Sequence, residues 1–223
     1  MSHNTRATVR KREFSRKLFS ASMEGLFWIV LFFLVVLTSS CSKEKVEPPA
    51  PIPPAENKTD QIDLGNKVIP FWGRIETIDF DNDRFPELIF EIVPIGDHIL
   101  KRDRWQWQIK TTRFTALPIN TMNEQVAALS KGDSIRLQDF NEFEWYHGAQ
   151  ITLFEKIMDI HGNTWWDGNW KGATRKYLPF KVLRPDGYYA GWVEISSDLD
   201  AEKGYLHRAG ISKVPNKAVK AGY

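Results

Sequence analysis

From residue 69 onward, apolar and polar positions alternate in short stretches, the period-two pattern of half-buried β-strands. It is cleanest at Trp105-Gln106-Trp107-Gln108-Ile109-Lys110, where Trp105, Trp107 and Ile109 share one face and Gln106, Gln108 and Lys110 the other. Similar runs, rich in β-branched and aromatic residues and bounded by turn formers, predict strands over 69–78, 87–93, 133–138, 150–160 and 177–183. The strongest local signal is a hairpin over Tyr177–Ile195. In its turn, Pro185 presets φ, Asp186 bonds back to the backbone and Gly187 accepts a positive φ. One helix is expected. Thr121-Met122-Asn123-Glu124 has capping-box spacing, Val126, Ala127 and Leu129 continue the pattern, and Lys131-Gly132 ends it. Short strands at this spacing predict an all-β fold, an antiparallel β-sandwich of jelly-roll-like kind with one short helix, over residues 62–223.

The chain ahead of this region follows a different pattern. Arg6, Arg10, Lys11, Arg12, Arg16 and Lys17 precede an unbroken apolar run from Leu26 to Leu37, and Thr38-Ser39-Ser40-Cys41 follows. That is the plan of a secretory signal peptide over residues 1–40. The run is short for a bilayer-spanning helix, which needs about 20 apolar residues, and an uncleaved anchor is the rival reading. Residues 42–61 include five prolines between Val46 and Asn57 and form a semi-rigid tether.

Removing the leader changes the charge balance. It holds six of the 30 basic and two of the 28 acidic residues, so the remaining 24 and 26 give a net charge of −2. The basic character belongs to the leader, and no electrostatic case for nucleic acid survives its removal. Cys41 is the sole cysteine, which excludes an intramolecular disulfide. Leu37-Thr38-Ser39-Ser40-Cys41 resembles the lipobox of bacterial lipoproteins, in which the cysteine becomes the lipid-modified first residue. With Ser42 following, the resemblance implies an exported protein, lipid-anchored at Cys41 and sorted to the outer membrane. Thr38 departs from the usual leucine.

Chemistry-bearing residues concentrate in two places. Between two strands, Asp79, Asp81 and Asp83 stand at alternate positions, Phe85 offers a carbonyl and Glu87 follows, an oxygen set suited to a hard cation such as Ca²⁺. Arg84 stands where such loops need glycine for a sharp bend. Three of the tryptophans fall in Trp165-Trp166-Asp167-Gly168-Asn169-Trp170. Adjacent residues of a strand point to opposite faces, so one of Trp165 and Trp166 is expected in solvent. Trp165, Trp166 and Trp170 then form a candidate shelf for a glycan or an envelope protein, against the plainer reading that all three cap the core.

The strands around Tyr177-Leu178-Pro179-Phe180 and Tyr188-Tyr189-Ala190-Gly191-Trp192-Val193-Glu194-Ile195, with the terminal Pro215-Asn216-Lys217-Ala218-Val219-Lys220-Ala221-Gly222, resemble an uncharacterised secreted β-sandwich domain of bacterial surface proteins. The acidic loop is similar to the calcium loops of integrin-like repeats. Pro179 stands where that family has glycine. The resemblance implies an extracellular sandwich and little about a ligand.

Common nucleophilic and zinc motifs are absent, and His98, His147, His161 and His207 are scattered. The expectation is therefore a non-enzymatic binding or structural module. The alternative is an envelope-anchored carbohydrate-active hydrolase using paired carboxylates, for which Glu142, Glu144 and Glu155 lie near aromatics.

Overall fold

A computed structural model describes residues 59–71 and 73–223, and everything there is strand, turn or irregular chain. The signal segment, Cys41 and most of the proline-rich tether lie outside the described residues. Among the described residues no helix is long and apolar enough to cross a membrane.

Fourteen strands follow in order: β1 (Thr59–Val68), β2 (Glu76–Ile78), β3 (Leu88–Asp97), β4 (Arg102–Thr111), β5 (Thr115–Asn120), β6 (Gln125–Val126), β7 (Ser134–Ile135), β8 (Phe143–His147), β9 (Gln150–Asp159), β10 (Thr164–Asp167), β11 (Lys176–Arg184), β12 (Gly187–Asp198), β13 (Lys203–Ser212) and β14 (Val219–Lys220). One sheet runs β1-β13-β12-β11-β5-β6, with β8 also on β5; a second runs β10-β9-β4-β3-β2; β14 and β7 form a ribbon. The pairings are antiparallel, and the two large sheets pack as a sandwich.

The main core lies between the sheets. Leu88, Phe90, Ile92, Trp107, Ile109 and Phe154 meet Leu178, Phe180, Val182, Val193, Ile195 and Ile211. A second cluster of Ile135, Tyr177, Ala190, Trp192, Val219 and Ala221 covers the other face of β11 and β12. Both faces of β12 are therefore buried, which explains its continuous run from Tyr189 to Ile195. Gly191 permits the close packing there, since a Cβ would sit 2.2 Å from the Phe180 ring.

The hairpin forms as its turn chemistry dictates, with Arg184 opposite Gly187 and Lys176 opposite Ile195. Gly187 has φ +136°, and a Cβ there would collide with Asn216, whose Oδ1 accepts the Tyr188 N–H. The clean alternation at β4 also holds, with a difference on the polar face. Gln106 and Gln108 are buried as well, because they join a hydrogen-bonded row: Gln150 donates to Gln108, Gln108 to Gln106, and Gln106 to Glu155.

The expected helix is absent. Asn120 Oδ1 accepts the Met122 N–H, Asn123 Oδ1 accepts the Gln125 N–H, and Glu124 takes φ +56°, a conformation that cannot continue a right-handed helix. Val126 instead pairs with Ile119 and enters the core. Tertiary burial and two side-chain turns outcompete the capping box. The first strand begins at Thr59 and takes up the last three residues of the expected tether.

Candidate functional site

The β2–β3 connection, residues 79–87, is closed by the Ile78–Leu88 pair and anchored by Phe80, which stacks on Phe180 at 5.1 Å. Its carboxylates each satisfy a backbone donor of the loop. Asp79 accepts from the Arg84 N–H (2.9 Å), Asp81 from Asp83 (3.3 Å), Asp83 from Phe85 (2.7 Å) and Glu87 from Phe80 (2.8 Å). The bend expected of glycine is made by Asn82 and Arg84, at φ +58° and +72°. The non-glycine residue at Arg84 costs on the order of 1 kcal/mol.

The structure brings together three of the expected ligands. Asp79, Asp81 and Glu87 each offer an oxygen within 4.8 Å of the others, whereas Asp83 lies outside the group. The three fit a hard oxygen-seeking cation, and Asp79 Oδ1 is buried without a hydrogen-bond partner. Arg184, from the end of β11, is already close: its Nη2 lies 3.3 Å from Asp81 Oδ2 and 3.7 Å from Glu87 Oε1. Glu87 is buried, and desolvation with the neighbouring Asp81 charge outweighs the backbone hydrogen bonds and Arg184 to hold its carboxyl above the ordinary range.

Beside this loop lies a groove of about 760 Å³. Its walls are largely apolar, and Phe85, Phe114 and Leu183 stand 75%, 47% and 39% exposed around it. Asp81, Glu87, Arg113 and Arg184 supply polar edges. The Arg113 guanidinium lies 4.6 Å from the Phe114 ring centroid, and Arg184 lies 4.9 Å from that of Tyr189. Phe85, expected to offer a carbonyl to the cation, instead lines the groove as an exposed ring. Phe114, Leu183 and Arg184 were not legible as site residues, because only the β5–β11 pairing, with the Leu183 N–H donating to Phe114 O, sets them against the acidic loop.

The tryptophan segment divides. Trp165, on edge strand β10, is 41% exposed, and Trp166 packs on Trp107 and Phe154. Trp170 is fully buried, its Nε1–H reaching Val126 O at 3.4 Å. Trp170 therefore belongs to the core and is withdrawn from the ligand shelf, leaving Trp165 as the one open ring.

The carboxylates weighed for hydrolysis have structural partners. Arg104 binds Glu155 through Nε and Nη2, Asn120 donates to Glu142, and Tyr146 donates to Glu144. No protein-family model, characterised protein or solved structure matches this chain.

Proposed function

We propose that this is an exported cell-envelope protein, lipid-anchored at Cys41 to the outer membrane, whose β-sandwich binds carbohydrate in the groove beside the acidic loop. The observation that carries the reading is the convergence of Phe85, Phe114 and Leu183, all substantially exposed, on one cavity. Exposed aromatic faces stack on the C–H faces of sugars, and the adjacent carboxylates and guanidinium groups suit hydroxyls. A cavity of this size accommodates a short oligosaccharide segment rather than a macromolecular surface. A glycan array of envelope and host polysaccharides tests the reading. Binding of a defined glycan class supports it; a protein that ignores every glycan contradicts it.

Ca²⁺ at Asp79, Asp81 and Glu87 is the cofactor proposed for the loop, where it replaces the partial neutralisation by Arg184. Extracellular calcium modules bind at roughly 10⁻⁴–10⁻³ M, so millimolar Ca²⁺ at the tight end contributes about 1.4 kcal/mol. Thermal unfolding then rises by a few degrees in millimolar Ca²⁺ relative to chelator. Glu87→Gln removes that response. It also flattens a pH slope: the raised folded pKa of Glu87 contributes stability present below its unfolded pKa and lost as pH rises through the folded one. Equal melting temperatures with and without Ca²⁺ would leave Arg184 as the cation facing Asp81 and Glu87.

A further inference from the structure

Away from the groove, side chains of β1, β12 and β13 form a directed hydrogen-bond chain. His207 Nδ1 lies 2.6 Å from Asn66 Oδ1, and His207 Nε2 lies 2.8 Å from Ser196 Oγ. Asn66 Oδ1 can only accept, so Nδ1 carries the imidazole proton and Nε2 presents a lone pair. Ser196 Oγ accepts the Arg175 N–H at 2.9 Å and points its own proton at Nε2. The polarity is that of a serine nucleophile, a general base and a residue that fixes the base's tautomer.

The backbone is irregular where it presents these groups. In the β12–β13 ladder Glu194 pairs with Arg208 and Ile195 with Leu206, so His207 is an extra, unpaired residue. In the β1–β13 ladder Asp63 pairs with Arg208 and Lys67 with Leu206, so Leu64, Gly65 and Asn66 bulge opposite the same histidine. Gly65 and Asn66 take φ +62° and +57°. Two bulges on successive ladders converge on one imidazole and turn Asn66 toward it, a placement that a regular sheet does not need. A cavity of about 370 Å³ lies beside these groups, lined by Asn66, Arg175, His207 and Arg208, with Ser196 just outside its lining. Ser196 is partly exposed. Burial, with the nearby Arg175 charge, holds His207 below its ordinary pKa, which keeps it neutral as a base. The Arg175 side chain is 60% exposed and binds Glu194 through Nη1, leaving further guanidinium donors for a substrate oxygen.

We propose that Ser196, His207 and Asn66 form a hydrolytic relay for esters of short carboxylic acids. Ser196 Oγ adds to the ester carbonyl as its proton passes to His207 Nε2, and the developing oxyanion meets the Arg175 guanidinium. The carbon–oxygen bond to the alcohol breaks, and the alkoxide takes the proton from Nε2. Water then repeats the sequence: it gives a proton to Nε2, its oxygen adds to the acyl-serine, and Ser196 leaves with that proton as the free acid departs. Asn66 is a positioning residue, and Ser196 sits in a strand rather than in a strand-to-helix elbow, as convergent versions of this chemistry allow.

The test is p-nitrophenyl acetate hydrolysis by the full chain in detergent, read as released p-nitrophenolate and as acetyl mass on the peptide holding Ser196. The expected result is a p-nitrophenolate burst with an acetylated Ser196 peptide, both lost in Ser196→Ala. His207→Gln slows acylation by about 10²–10⁴-fold, the range of a positioned general base. Asn66→Ala slows it too, and Asn66→Asp restores it by supplying the same acceptor, which a purely packing role does not explain. Equal release and equal labelling in the parent and Ser196→Ala overturn the proposal, as does a parent that leaves the Ser196 peptide unlabelled.

Discussion

Replacing Trp170 by alanine lowers the unfolding free energy by about 3–5 kcal/mol, the range for deleting a buried aromatic side chain. Trp170 has no exposed surface, and the chain around it is tied down at several points. Its backbone N–H donates to Leu153 O at 3.2 Å, Ser197 Oγ donates to its carbonyl at 2.6 Å, and Asn169 Nδ2 donates to Val126 O at 2.7 Å. The indole thus plugs the sandwich where β6, β9 and β12 approach one another. For a domain of this size the loss corresponds to a fall of roughly 6–20 °C in melting temperature. Trp165→Ala, at an open edge position, stays within about 0.5 kcal/mol. Urea unfolding of the two variants measures the contrast; equal losses would place Trp165 in the core too.

Glu194→Ala is the second large loss, about 3–5 kcal/mol as expected when one partner of a buried ionic cluster is removed. Glu194 is 1% exposed and receives Arg175 Nη1 at 2.8 Å and Arg208 Nε at 2.5 Å. Arg208 is itself fixed, with its guanidinium 5.3 Å from the Trp192 ring centroid and its Nη2 3.4 Å from Tyr177 Oη. Without the carboxylate, two cations face each other across β12. Arg175 reaches water and escapes part of that penalty, which sets the expectation near 3 kcal/mol. Burial alone would raise the Glu194 pKa, but the hydrogen bonds from Arg208 and Arg175 together outweigh it and hold the group below the ordinary glutamate range. A depressed folded pKa gives stability that is present above the unfolded pKa and lost as pH falls through the folded one. The stability difference between parent and Glu194→Ala should therefore narrow on acidification. A gap that is unchanged across that range would contradict the ionic account.

What was legible in the sequence is what local chemistry decides. The Pro185-Asp186-Gly187 turn fixes the register of β11 against β12 by itself, and the alternation at Trp105–Lys110 identifies the core face of β4. The acidic loop was legible as a loop, down to the left-handed bend at Arg84, because spacing and turn preference are both local. The helix failed because Val126 gains more from pairing with Ile119 and filling the core than the capping box offers. Trp170 reads like its neighbours, and only the third dimension separates a plug from a shelf. Contacts between residues a hundred or more positions apart, such as Arg184 against Asp81 or Asn66 against His207, leave no local mark. They depend on which strands become neighbours, and several of those pairings join distant parts of the chain.

The proposed glycan site is the groove beside the acidic loop. Calorimetric titration of an array-identified glycan into the parent protein, Phe85→Ala, Phe114→Ala and Trp165→Ala tests it most directly. Truncating an aromatic anchor at a binding site costs about 2 kcal/mol or more, which is roughly thirtyfold in affinity. That loss is expected for Phe85→Ala and Phe114→Ala, with Trp165→Ala unchanged. Undiminished affinity in both phenylalanine variants, with the loss falling on Trp165→Ala instead, would contradict it.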